Sequence, residues 1–398
     1  MTDMFDVLIV GGGPVGACAG ALLAHGSLRV CILEPKRPSP PTGQLDSRVV
    51  AISRASERIL NSAGAWTRVA GPRIEAYERM RIWHESNPPA NALVFDAADV
   101  GEPNLGYIIE NRLLQTALLD AFTAAGGQLQ AADFQQLQVG ADAVTVDTST
   151  GTLSAKLVIG ADGAKSAVRE SVGLTASVSD FNETAIVATV ATERSHEKTA
   201  WQRFMRNGTL AFLPLADGTS SIVWSADNGL AADLVAMSVA DFNTELTRAS
   251  DVALGSTRLV SERITFPLKR VDAHRYVTQR CALIGDAAHV VHPLAGQGVN
   301  LGLLDAATIA QLVLDARAER EDPGALRVLR PYERWRKSEV AFMSTAIDAF
   351  DRFLAHGTGP VSKLAQRGLG WVNRSQEIKR MFVTRALGVA GELPRAAR

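Results

Sequence analysis

Residues 5–16 read FDVLIVGGGPVG. Phe5 to Val10 is a short, β-branched apolar run that ends in glycines, which predicts a buried parallel strand. Gly11-Gly12-Gly13-Pro14-Val15-Gly16 follows as G-x-G-x-x-G where a helix should begin, and small residues continue from Val15 to Leu23. Arg29 to Leu33 (RVCIL) reads as a second buried strand. Strand, glycine turn, helix and strand within about 30 residues make a βαβ unit. Gly11, Gly13 and Gly16 let the backbone turn tightly and approach a pyrophosphate. The helix that opens at Pro14 and Val15 offers the free N–H groups that follow Pro14 and a positive dipole end. Glu34 ends the second strand ~20 residues after the first glycine, where a carboxylate can accept the ribose hydroxyls of an adenosine. The bland alternative is a tight turn with Glu34 as a solvated strand end, and it requires four independent features to coincide. The pattern alone does not choose between NAD and FAD.

Outward from this unit, the whole chain has 398 residues, enough for two or three domains at about 150 residues each. Lys plus Arg number 41 against 42 Asp plus Glu, a net charge of −1 that argues against nucleic acid as the main partner. With 46% apolar and 21% charged residues the chain can bury a large core, and disorder is excluded as its dominant state. Cys18, Cys31 and Cys281 all sit in apolar segments and read as buried free thiols of a reducing compartment. The N-terminus carries Asp3 and Asp6 and no basic region, unlike a secretory signal. The longest apolar candidate, Gly298 to Leu314, is interrupted by Asn300, Asp305 and Gln311. The expected chain is soluble and cytoplasmic, or at most peripheral on the inner face of the membrane.

Further along, Asn111 to Ala125 has the spacing of an amphipathic helix. Lys156–Gly160 and Cys281–Ile284 are buried strands, each ending in an aspartate turn. Between them Thr184–Thr192, Thr209–Leu215, Ser220–Ser225 and Arg258–Leu268 are strand-like, with Ile264, Phe266 and Leu268 on one covered face. Such a run predicts a second, largely antiparallel layer in an α/β chain. After Gly298 the reading is helical to the end, broken at Pro323, Pro331 and Pro360.

The two aspartate turns differ. Asp162, before Gly163, reads by itself as a turn residue. Asp286 is followed by Gly296-Gln297-Gly298-Val299-Asn300, which strips side chains from a helix start where a flat ligand could rest. If that ligand is an isoalloxazine, the helix dipole stabilises negative charge on its N1–C2=O edge. Asp286, an anion, is unsuited to pyrophosphate but can accept from ribityl or ribose hydroxyls.

GGGPVG with Glu34, GADGAKSAVR (160–169) and GDAAHVVHPLAGQGVNLGLLD (285–305) occur in that order. In this the chain resembles the class A FAD-dependent aromatic hydroxylases, and most closely the ubiquinone-biosynthesis hydroxylases. DSRVVAIS with Arg48 and IENRLLQTAL with Arg112 are also similar. The resemblance spans nearly the whole chain and is weakest after residue 350. It implies a Rossmann-like FAD-binding domain of the p-hydroxybenzoate-hydroxylase type (residues 1–75, 106–178 and 269–350). An antiparallel substrate domain (76–105 and 179–268) would be interleaved with it, and 351–398 would form a helical C-terminus.

By the same resemblance the N-terminal motif binds the ADP half of FAD with Glu34 on the ribose. Arg48 and Arg112 lie beside the cofactor, Asp286 on its ribityl and pyrophosphate side, and Gly296–Asn300 along the flavin ring. Asp162 and Gly163 would serve both FAD and a transient NAD(P)H. The implied reaction inserts oxygen from a flavin C4a-hydroperoxide into a phenol, here a polyprenylated one. The hydrophobic aromatic substrate and membership of a ubiquinone-biosynthesis complex are implied in the same way.

The residues by themselves leave other readings open. A flavin dehydrogenase without oxygen insertion and a non-catalytic flavoprotein component share the same cofactor signature. Phe212, Leu213, Trp224 and Phe266 are candidate ring contacts or plain sheet core. His289 and His292 border the cavity or are held locally; without H-E-x-x-H or a third ligand they do not read as a metal site. No G-x-S-x-G elbow, no C-x-x-C pair, no W-x-W-x-I-P and no second full G-x-G-x-x-G is present. The segment Trp371–Arg398, with Arg374, Lys379, Arg380, Arg385, Arg395 and Arg398, reads as a solvated helix on its own domain or a basic surface for a membrane or partner.

Overall fold

The computed structural model describes residues 4–292, 296–354, 384, 387–389 and 391–398, with 346–354 by backbone alone. Phe5–Val10 lies in the middle of a parallel sheet, and its Val7, Leu8 and Ile9 are fully buried. A strand covered on both faces tolerates no polar alternation, which is why the run is continuously apolar. Val30–Leu33 and Gly151–Gly160 flank it in parallel, and Gln128–Gln130 and Cys281–Leu283 extend the sheet in the same direction. Val277–Thr278 closes one edge, and the hairpin Phe134–Val139/Val144–Thr148 pairs with the first half of Gly151–Gly160.

Parallel strands point their C-terminal ends the same way. The turns after them (Gly11–Gly13, Glu34, Ala161–Gly163, Gly285–Asp286) therefore line one edge of the sheet, where open α/β sheets hold ligands. Helices Pro14–His25, Asn111–Ala124 and Gln297–Ala318 pack together beside it. They approach closely at glycines: a Cβ on Gly20 would lie 2.6 Å from Ile32 Cδ1, and one on Gly302 2.5 Å from Val15 Cγ2. Gln297–Ala318 is long and apolar enough to cross a membrane, but 67% of its apolar window is buried inside the protein, as in a core helix.

The second sheet runs His289–Val290, Ile264–Ala273, Ala176–Thr192, Ser220–Asp227, Gly208–Pro214, Thr199–Met205, Arg79–His84, Leu93–Asp96. Every pairing is antiparallel except Thr199–Met205 with Arg79–His84. Side chains alternate between its faces. Ile186, Ala188, Leu210, Phe212, Ile222 and Trp224 pack under the helices Asn228–Ala236 and Val239–Ala249. The opposite face looks toward the parallel sheet. A small sheet of Val49–Ile52, Gly106–Glu110 and Glu75–Tyr77 completes the set.

Three local expectations are corrected. Arg258–Leu268 is not one strand: Thr257–Leu259 and Ile264–Ala273 are separated where Arg263 turns in to donate to the carbonyls of Leu234 and Met237. Ile264 is 40% exposed at the rim instead of covered. Pro331 does not break the last helix, which runs Leu326–Leu354 through it. One lost hydrogen bond is outweighed there by the burial of Leu329, Tyr332 and Arg336 on the same helix. Pro360 and most of the basic segment 371–398 lie outside the described residues.

All three cysteines are free and fully buried, and burial pushes each thiol up to about 12. Since the thiolate is the reactive form, native protein at pH 8 should resist DTNB, with three thiols reacting once it is unfolded in guanidinium. Rapid labelling of the native form would contradict this packing.

Candidate functional site

The glycine turn is shaped by its neighbours. Gly11 has φ +104°, and a Cβ there would lie 2.4 Å from the Ala161 carbonyl oxygen. A Cβ on Gly16 would meet the Gly11 oxygen at 2.1 Å. Gly13, by contrast, has nothing within 4 Å of its Cβ position; it is the N-cap of Pro14–His25 and caps it with no side chain. Gly13, Pro14 and Val15 at that helix start line the main cavity. Glu34 accepts the Gly12 N–H at 2.9 Å through Oε2 and the Lys36 N–H at 3.3 Å through Oε1. It also lines a side cavity of about 380 Å³ with Gly11, Asp162 and Lys165. Gln115, one turn beyond Arg112, donates to the Gly12 carbonyl at 2.9 Å. No sequence reading selected Gln115, although the IENRLLQ stretch placed it on the helix face shared with Arg112.

The aspartate turns part company. Both oxygens of Asp162 are engaged within its own turn, accepting from Ser166 Oγ at 2.5 Å and from the Val168 N–H at 3.0 Å. Gly163 beside it is open. Asp286 presents its carboxylate to the main cavity. Surrounding protein pushes that carboxyl above the usual range, against the pull of His289 and Arg48. Buried Arg169 joins the two turns, donating to the carbonyls of Ala287 at 2.9 Å and Ala164 at 3.0 Å.

Behind Asp286 lies a buried ionic knot. Asp305, fully buried, accepts from the Gly285 N–H at 3.0 Å, His289 Nε2 at 2.6 Å and Arg336 Nε at 2.7 Å. Burial pushes its carboxyl up, but the charges and hydrogen bonds of His289 and Arg336 outweigh that and hold it below the usual range. An acid in the apolar stretch Gly302–Ala310 needs such partners, a signal the sequence did carry. Its cation, Arg336, lies 31 positions on and was not predictable. His289 is thus held by Asp305, and His292 sits 3.1 Å from Glu183 Oε2 with its ring edge-on to Phe181. Both histidines are held locally.

The helix Gln297–Ala318 opens on the same cavity. Its N-cap, Gly296, has φ +64° and caps it with no side chain. Gly298 has nothing within 4 Å of its Cβ position. Gly296, Gly298 and Val299 line the cavity, whereas Gln297 does not. Asn300 turns away from it: its Oδ1 accepts the Ser53 N–H at 3.0 Å and its Nδ2 donates to the Ala51 carbonyl at 2.9 Å. Asn300 thereby pins Val49–Ile52 to the helix start. Arg48 lines the cavity with its guanidinium 5.4 Å from the Phe266 ring centroid. Its loop is anchored by buried Glu110, which binds Arg73 through both oxygens at 2.7 Å and accepts the Asp46 N–H. Arg112 is 42% exposed, 3.9 Å from Asp46, and outside the lining of both cavities.

The main cavity, about 660 Å³, runs from Gly13 and Asp286 to the open face of the antiparallel sheet. Leu213 and Phe266 line it, whereas Phe212 and Trp224, on the opposite face, are core. Register separates them: a strand turns successive residues to opposite sides.

Two helix starts without side-chain caps, with Asp286 and Arg48, around one cavity, and Glu34 on a side cavity that shares Gly13 and Ala161 with it, define a dinucleotide-binding flavoprotein built on a Rossmann-type sheet. The FAD binding domain family matches residues 4–338, and the chain belongs to it. Its relatives include the ubiquinone hydroxylase UbiL of Rhodospirillum rubrum, 36% identical over 96% of this chain and 89% of the relative. The 3-demethoxyubiquinol 3-hydroxylase of Escherichia coli is 34% identical over 96% and 98%. The p-nitrophenol 4-monooxygenase PnpA of Pseudomonas putida shares the fold, with TM-score 0.77, 19% identity, and 97% of this chain and 99% of that one covered. The chain is therefore a class A FAD-dependent hydroxylase.

Proposed function

We propose that this chain hydroxylates a polyprenylated phenol in ubiquinone biosynthesis, using FAD, NAD(P)H and O₂. The observation that carries the reading is the single cavity joining the two uncapped helix starts to an apolar sheet face. The residues fit FAD: open glycines at 13, 163 and 298 leave the room that side chains would fill. In this reading residues 1–75, 106–178 and 269–350 serve the cofactor, while 76–105 and 179–268 serve the substrate.

The helix start at Pro14 and Val15 binds the pyrophosphate, Glu34 accepts the adenosine ribose hydroxyls with its remaining lone pairs, and Asp286 accepts ribityl hydroxyls. The Gly296–Val299 helix start faces the flavin ring, and its dipole favours negative charge there. Asn300 acts by holding that start in place, and Asp162 by shaping the turn that leaves Gly163 open. Arg48 offsets anionic charge beside Asp286. Reduced flavin supplies oxygen activation. The protein orients the ring and, with Leu213, Val223 and Phe266, excludes water from the transfer. The greasy substrate, and relatives named for ubiquinone biosynthesis, support peripheral work at the inner face of the membrane within a biosynthetic complex.

The test is incubation of the yellow protein with NAD(P)H, ¹⁸O₂ and 2-prenylphenol. One labelled oxygen per product molecule is expected. Turnover without label would make the chain a flavin dehydrogenase instead.

A further inference from the structure

The face of the antiparallel sheet that looks into the cavity can be laid out from its register. One row across it is Phe204, Thr209, Ser225, Ala185, Phe266, and the next is Ile82, Gln202, Ala211, Val223, Val187. Most of this surface is apolar. Three side chains in these two rows are not: Gln202, Thr209 and Ser225 line the cavity, and all are at least 95% buried.

None of the three side chains hydrogen-bonds to a described residue, whereas Ser221, also on the cavity wall, donates to the Ser47 carbonyl at 3.0 Å. Thr209 and Ser225 are direct cross-strand partners, about 5 Å apart at Cβ, and Gln202 lies on the diagonal from Thr209 at about 7–8 Å. Buried polar groups are costly without partners, so a patch of three open to a cavity is a recognition surface awaiting one.

The charge of the surroundings narrows the class of ligand. Among the described residues, the charged side chains lining this cavity are Asp286, at the dinucleotide end, and Arg48, whose guanidinium lies over Phe266 at the far end of the first row. The two rows contain no cation, so a ring carboxylate held by Gln202 and Thr209 would lack a counter-ion among the described residues beside them, at a large cost in affinity. A neutral hydroxyl or ether oxygen has no such penalty. Glutamine offers a donor and an acceptor, and serine and threonine hydroxyls offer both, which suits a phenol with a neighbouring oxygen substituent.

We propose that Gln202, Thr209 and Ser225 bind the oxygen substituents of an uncharged ring, orienting it toward the flavin end, and that the site rejects carboxylated rings. The proposal rests on the hydroxylase reading above.

The experiment is titration of the FAD-loaded protein with three probes, read by perturbation of the flavin absorbance, followed by steady-state turnover. The probes are 2-prenylphenol, prenylbenzene (which has no ring oxygen) and 4-hydroxy-3-prenylbenzoate. Wild-type protein should bind the phenol at least about ten-fold more tightly than the benzoate at pH 8. Gln202→Leu and Thr209→Val should each weaken the phenol about three- to ten-fold while barely changing prenylbenzene, since a lost hydrogen bond is felt only by a ligand that made it. Both variants should also consume more NAD(P)H per hydroxylated product, as a misoriented ring is missed. A general packing defect would weaken phenol and prenylbenzene alike, and that outcome overturns the assignment. Equal wild-type affinity for phenol and benzoate overturns the neutral-ring claim. If the wild type binds and discriminates but incorporates no ¹⁸O, the recognition surface stands and the hydroxylase reading falls.

Discussion

Gly298→Val is expected to give a folded but colourless protein. Gly298 is the second residue of the Gln297–Ala318 helix, and no atom lies within 4 Å of where its Cβ would sit. Valine at this place strains neither the backbone nor a neighbour, so thermal unfolding of the apoprotein should change by no more than about 1 kcal/mol, the size of an ordinary helix-propensity change. The added methyls take up space in the cavity that Gly298 lines. Overpacking a filled site costs about 1–3 kcal/mol, so FAD should bind up to about 100-fold more weakly and be lost on gel filtration. The measurement is a fluorescence titration of apoprotein with FAD. Unchanged affinity would mean that the flavin does not rest on this helix start. Gly302→Val, one turn further, should do the reverse and lower stability directly, because its Cβ would lie 2.5 Å from Val15.

Asp305→Ala should be among the most destabilising single changes in the chain. The carboxylate holds the Gly285 N–H, His289 and Arg336 at once, and both Asp305 and Arg336 are cut off from solvent. Removing one member of a buried pair leaves the other uncompensated, at about 3–5 kcal/mol. The urea midpoint should fall accordingly. FAD affinity should fall with it, since Asp305 fixes the turn that carries Asp286.

The pH dependence has a definite sign. The Asp305 carboxyl is held below its ordinary value, near 4, in the folded protein. Its contribution is therefore complete above that ordinary value and is lost as pH falls through the lower folded one. Asp305→Ala should accordingly flatten the acid limb of the stability profile. An acid limb identical to wild type would show that Asp305 carries no linked proton.

Local spacing carried the parallel half of the molecule into the sequence. FDVLIV before GGGPVG, RVCIL before Glu34 and LVIG before Asp162 are short-range patterns, and each became a strand followed by a turn at the same sheet edge. Convergence needed no further information, since parallel strands in one sheet bring their C-terminal turns together. The large-scale alternation of an α/β layer with an antiparallel layer was readable for the same reason.

Whatever depends on pairing was not readable from order alone. Phe212 and Leu213 are neighbours in sequence, yet one is core and the other cavity wall, because strand parity has meaning only once a partner sheet covers one face. Asn300 stands in a glycine-rich signature that suggests ligand contact, but its amide is spent on Ala51 and Ser53, almost 250 positions away. Asp162 and Asp286 end strands alike, and only the hydrogen bonds from Ser166 and Val168 separate the one that shapes a turn from the one that faces the cavity. Backbone conformation follows from neighbours along the chain. The fate of a polar side chain follows from which distant donors and acceptors the folded core brings within 3 Å of it.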